Sequence, residues 1–173
     1  MQLGCLYFTA IVATFLGEFF GHFFNDWLAN LYIRRHNGIF EAEARIPMMY
    51  IAVFLMMAGL IILGQALERH LNVAAVIMSW GTYVFGVMLH SVALFAYSVD
   101  AYPTAPAEVA GWISLVRVIG GFSVGYFQEP WGQAVGYGAS FGTQAASIGF
   151  FAIFIVIVQI YGHRLRVSGG GVK

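Results

Sequence analysis

The sequence predicts an all-α integral membrane protein of five transmembrane helices. Two features of composition point there: 60% of the 173 residues are hydrophobic and only 9% are charged. A soluble domain usually carries about 25% charged residues, and a chain this short with so little charge cannot cover an apolar interior with a polar surface. The third feature is distribution. The apolar residues gather in five blocks, and a helix rising about 1.5 Å per residue needs about 20 such residues to cross the bilayer core.

The blocks run roughly Leu3–Phe24, Ile46–Ala66, Val73–Ser98, Pro106–Phe127 and Gly142–Gly162, so that residues 1–166 form one transmembrane bundle and 167–173, Gly-rich, form a disordered tail. The breaks carry their own punctuation. "LERHLN" separates the second and third spans, and "DAYPTAP" separates the third and fourth, where Pro103 and Pro106 interrupt helix continuity. "QEPWGQ" follows the fourth span, and Pro130 with Gly132 predicts a turn there. Gly17-x-x-x-Gly21 and Gly121-x-x-x-Gly125 place small residues one helical turn apart and predict close helix contact.

Positive charge orients the spans. With an odd number of crossings, Arg34, Arg35, Arg45, Arg164, Arg166 and Lys173 share one side, against Arg69 alone on the other. The first loop and the C-terminus are therefore expected in the cytoplasm and the N-terminus outside, in the plasma membrane. No basic residue precedes Arg34, and the chain starts almost inside its first span, as an internal piece of a longer protein would.

Several function classes drop out. Net charge is zero, which gives no case for nucleic acid. The single cysteine, Cys5, allows neither an internal disulfide nor a CxxC metal site. The five histidines are scattered, and no HExxH, GxSxG or Cys/His cluster exists, so neither an enzyme nor a metal or other cofactor is expected.

The longest polar interval in the first half, "NDWLANLYIRRHNGIFEAEARIP", carries Asp26, Arg34, Arg35, Glu41, Glu43 and Arg45. It can be a solvated connector. It can equally hold helix ends together, since Glu41 stands four residues before Arg45, a spacing that pairs on a helix, and an acidic group can cap a neighbouring helix N-terminus. Asp100, in "VDAYP" with Tyr102 and Pro103, lies at the junction of spans three and four and can cap the next helix or join this cluster.

Ionisable groups at membrane depth are costly and mark functional pathways. Glu18 lies about 9 Å, His90 about 12 Å and Arg117 about 16 Å from the same face, counted at helical rise. Spans one, three and four thus each place a titratable group in one layer, whereas spans two and five carry none and are expected to face lipid. Arg117 stays charged at any relevant pH. It can pair with Glu18 as a brace, or serve a substrate or proton pathway with Glu18 and His90.

The motifs "GHFFNDWL" and "RRHNGIFEAEARIP", followed by "YSVDAYPTAPAEV" and "LVRVIGGFSVGYFQEPWGQAVGYGASFGTQA", resemble fungal transporters of the major facilitator superfamily, in the drug:proton antiporter-like branch. The resemblance covers essentially the whole chain, as helices eight to twelve of twelve. His22 and Ala42 depart from it, standing where Gly and Pro are usual. It implies a partial C-terminal bundle of a twelve-helix fold, in a secondary transporter that moves a small organic solute with proton coupling. Asp26, Glu43 and Arg45 would belong to a cytoplasmic gate contacting the missing N-terminal half. The other reading is a complete five-span structural or assembly protein without transport activity.

Overall fold

The computed structural model describes residues 2–35 and 42–168, and confirms five long apolar helices with no strand among the described residues. They are α1 (Gln2–Arg35), α2 (Ile46–Glu68), α3 (Val73–Ala101), α4 (Pro106–Val135) and α5 (Tyr137–Ser168), with a short 3-10 turn at Ala42–Arg45 before α2. Several boundaries differ from expectation: α2 and α3 run two or three residues longer, and α5 starts at Tyr137, five residues before Gly142. α1 continues eleven residues beyond Phe24, because nothing between Gly21 and Arg35 breaks a helix and the polar residues there can reach solvent. α4 runs through Pro130 to Val135, and the turn falls instead at Gly136, whose φ of 94° is the left-handed region that glycine enters without a Cβ penalty. Val167 and Ser168 extend α5, while 169–173, the rest of the expected tail, lie outside the described residues.

α2 is central. It packs along α3 on one flank and α5 on the other, while α1 packs along α3, and α4 touches α5 and, less extensively, α3. Met48, Met49 and Ala52 of α2 meet Leu89 and Ala93 of α3 in the core, with Leu28 of α1 and Ile155 of α5 against them. α2 also keeps an outward apolar stripe, Ile51, Phe54, Ile61 and Ile62, so only part of its surface suits lipid.

Lipid tails are as apolar as these side chains, so close packing rather than water exclusion holds such helices together. Small residues make the contact possible. The buried face of α1 is Ala13, Gly17, Gly21, Asn25 and Ala29, one residue every four. A Cβ on Gly17 would stand 2.6 Å from the Met88 Cβ. The α2–α3 contact is reciprocal: a Cβ on Gly59 would lie 2.7 Å from the Tyr83 backbone nitrogen, and one on Gly86 would lie 2.9 Å from the Met56 nitrogen. The expected contact at Gly121 and Gly125 is not made among the described residues, since both face open space there.

Polar ties add direction. At the far end from Arg45, the Glu68 carboxylate closes α2 and accepts the Gly138 N–H of α5 at 2.5 Å. A helix N-terminus has unpaired N–H groups and a partial positive charge, which a carboxylate satisfies. Gln128 of α4 donates to Ser140 of α5 at 3.3 Å and accepts from Gln144 of the "FGTQ" stretch. Toward the other end, Tyr50 donates to Gln159, tying α2 to α5.

Candidate transport-pathway site

The end of α1, the start of α2 and the end of α3 meet at Arg45. Its Nε donates to Asp100 Oδ2 at 2.5 Å and its Nη1 to Asp26 Oδ1 at 3.4 Å. Arg45 precedes α2 directly, so both carboxylates also gather near the positive end of that helix. The two bonds are unequal in setting as well as length. The Arg45 and Asp100 side chains are 16% and 23% exposed, whereas Asp26 is 51% exposed, where water screens the attraction. His22 stands 3.8 Å from Asp26, one helical turn earlier on α1.

Asp100 binds Arg45, and α4 starts at Pro106 behind the N-cap Ala105, with no side-chain cap hydrogen bond. Tyr102 closes α3 by donating its N–H to the Ser98 carbonyl, and Tyr102 and Pro103 lie exposed in the turn to α4. Arg34 is exposed near the end of α1. The side chains of Arg35, Glu41 and Glu43, and with them the expected Glu41–Arg45 pair, lie outside the described residues.

Deeper in the helices, Arg117 reaches from α4 to α3. Its Nη2 donates to Ser91 Oγ at 2.6 Å, and its guanidinium lies 5.2 Å from the Phe95 ring centre. Ser91 in turn donates to the Val87 carbonyl at 2.6 Å, so one hydroxyl serves as acceptor and donor. Residues 91 and 95 are one turn apart and present one face of α3 to α4. The anticipated brace between Arg117 and Glu18 is not formed: no carboxylate pairs with Arg117 among the described residues.

Glu18 is exposed on α1. Gly17 and Gly21 face α3, and Leu16 lines a cleft with Leu55 of α2 and Phe85 of α3. At about 100° per residue, Glu18 falls on the opposite side of the α3-facing stripe from Leu16, hence toward α4. His90 departs from the layer's common orientation. It lines an apolar cavity of about 180 Å³ with Met49 of α2, Leu94 and Tyr97 of α3, and Phe154, Ile155 and Val158 of α5. Its Nδ1 is buried without a hydrogen-bond partner among the described residues. His90 and Ser91 are consecutive, and that one-residue step turns the side chain away from Arg117's face.

The polar residues that complete these contacts carry little signal in sequence. Ser91, Gln128 and Glu68 are single polar residues at or near helix ends or inside apolar runs, and their partners lie 26, 12 and 70 positions away. Asn25, buried at 2% exposure with its Oδ1 unpaired among the described residues, would be found by noting that it continues the four-residue spacing of Ala13, Gly17, Gly21 and Ala29.

Two curated fungal proteins are similar to this chain. An uncharacterized MFS-type transporter of Schizosaccharomyces pombe is 26% identical over 168 residues, covering 95% of this chain and 26% of its own length. The MFS transporter cpaT of Aspergillus oryzae is 27% identical over 148 residues, covering 83% of this chain and 29% of its own length. The chain therefore spans between a quarter and a third of these relatives. No family model matches it, and no solved structure matches it.

Proposed function

We propose that this chain belongs to the major facilitator superfamily and is the C-terminal part of a secondary transporter, helices eight to twelve, moving a small organic solute with proton exchange. The drug:proton antiporter-like branch fits its motifs. In this reading the N-terminus faces outward from the plasma membrane, the C-terminus is cytoplasmic, and an N-terminal half supplies the opposite wall.

The observation that carries the proposal is Arg117, a permanent charge held in an apolar helix by the neutral groups Ser91 and Phe95. Such a group is costly unless it faces a pathway or a partner. α1, α3 and α4 would form one wall of the solute path, with α2 and α5 behind α3 as support. Arg45, Asp26 and Asp100 would act as a cytoplasmic latch. The loose Asp26 bond would exchange for a contact on the opposite half while the tight Asp100 bond persists. Sites of this kind form between two bundles near the membrane midplane, so five helices alone supply one side. Purified chain in sealed vesicles is expected to show no saturable, proton-driven flux; such flux would refute the partial-transporter reading. Arg117→Ala in a full-length parent is expected to abolish transport while leaving membrane insertion intact.

A further inference from the structure

We infer that the face shared by α1, α3 and α4 takes a zwitterionic organic solute, with its cationic group at Glu18 and its anionic group at Arg117. This rests on the transporter reading and adds the substrate class to it.

The first support is charge. Glu18 has no hydrogen bond or ion pair among the described residues, and Arg117 has only Ser91 and Phe95. Two opposite charges carried by apolar helices thus lack an ionic partner among the described residues, although each would be the other's natural partner. The second support is position. Gly17, the neighbour of Glu18, packs at the level of Met88 on α3, and Arg117 reaches Ser91, three residues further along. The two charges therefore differ by only about 5 Å along the helix axes. Around α3 they sit on adjacent flanks: Phe85, Leu89 and Val92 mark the side of α1, and Ser91 and Phe95 mark the side of α4. With packed helix axes about 8–10 Å apart, a solute lying across the α3 face between α1 and α4 would span the two charges, which do not pair with each other among the described residues.

A ligand bearing one charge would leave the other group unpaired in a region where unpaired charge is expensive. A ligand bearing both satisfies both. Arg117 is already oriented by Ser91 and the Phe95 ring, and it keeps further N–H donors free for a planar carboxylate. Phe95 and the exposed Phe15, three residues before Glu18 on α1, offer apolar surface for the body of the solute.

Three probes with one aromatic ring separate the possibilities: L-phenylalanine, carrying both charges; 2-phenylethylamine, lacking the carboxylate; and 3-phenylpropionate, lacking the ammonium. Binding to the purified chain in nanodiscs is measured by microscale thermophoresis, with helicity checked by circular dichroism. L-phenylalanine is expected to bind at least about tenfold more tightly than either single-charge probe. Glu18→Gln should bring it down to the level of 3-phenylpropionate, and Arg117→Gln to that of 2-phenylethylamine. Glu18→Asp and Arg117→Lys should retain part of the preference, which separates charge from folding. Equal binding of L-phenylalanine and 2-phenylethylamine would leave Glu18 as a simple cation site. Equal binding with 3-phenylpropionate would mean Glu18 holds a proton instead. Either result, or no binding of any probe, overturns the inference. None of these outcomes bears on vesicle flux, so the transporter reading and the zwitterion reading can fail separately.

Discussion

α2 and α4 are both apolar helices with several glycines, yet they are used in opposite ways. α2 is packed on two flanks, with Gly59 pressed against the Tyr83 backbone and ten of its residues buried. α4 has a single buried residue, Gly132, and its Gly111, Gly120, Gly121 and Gly125 have nothing within 4 Å of where a Cβ would sit. The same residue type is a contact in one helix and open surface in the other. A glycine pair in a membrane helix permits close approach, but only a neighbour at that level makes use of it.

The sharpest way to break this contrast is a matched pair of substitutions. Gly59→Leu is expected to destabilise the chain by about 3 kcal/mol or more, because the obstacle is backbone rather than a flexible side-chain end. Gly121→Leu is expected to change stability by under about 0.5 kcal/mol, as at open positions generally. Equilibrium unfolding in mixed micelles with increasing dodecyl sulfate checks both, and similar losses would erase the distinction between the helices.

A smaller effect separates the two carboxylates on Arg45. Asp100→Asn is expected to cost about 1.5–3 kcal/mol, the range for hydrogen bonds to charged groups. Asp26→Asn, at the longer and more exposed contact, is expected to cost under about 1 kcal/mol. The same unfolding measurement ranks them, and a larger loss from Asp26 would invert the assignment of the tight and loose bonds. Smallest is the tie at the opposite end. Glu68→Gln removes charge from the N-terminus of α5 while keeping an acceptor, and about 0.3–1 kcal/mol is expected. Hydrogen exchange at Gly138 should rise in that variant; unchanged exchange would mean the contact contributes nothing.

Much of the fold was legible in sequence. Five apolar blocks gave five helices, and the Gly17–Gly21 spacing found its partner on α3. Helix ends were less legible, for local reasons. Asn25–Arg35 reads as a polar loop but contains no breaker, so α1 continues through it. Pro130 reads as a stop, yet the backbone reversal needs a positive φ and falls at Gly136. At the candidate site, Glu18, His90 and Arg117 were visible as charges out of place. Their directions were not: His90 faces an apolar cavity and Arg117 faces Ser91.

By itself the sequence determined that the chain is strongly apolar, that it forms five long helices, and which ionisable groups those helices carry. Those properties follow from composition and from length at a fixed helical rise, and neither depends on neighbours. Only the tertiary structure decided which glycines touch, that Arg45 gathers Asp26 and Asp100, and that Glu18 and Arg117 stand apart. Partners far apart in the chain meet only when rotation and level agree on two helices at once, and a one-residue step turns a side chain by about 100°.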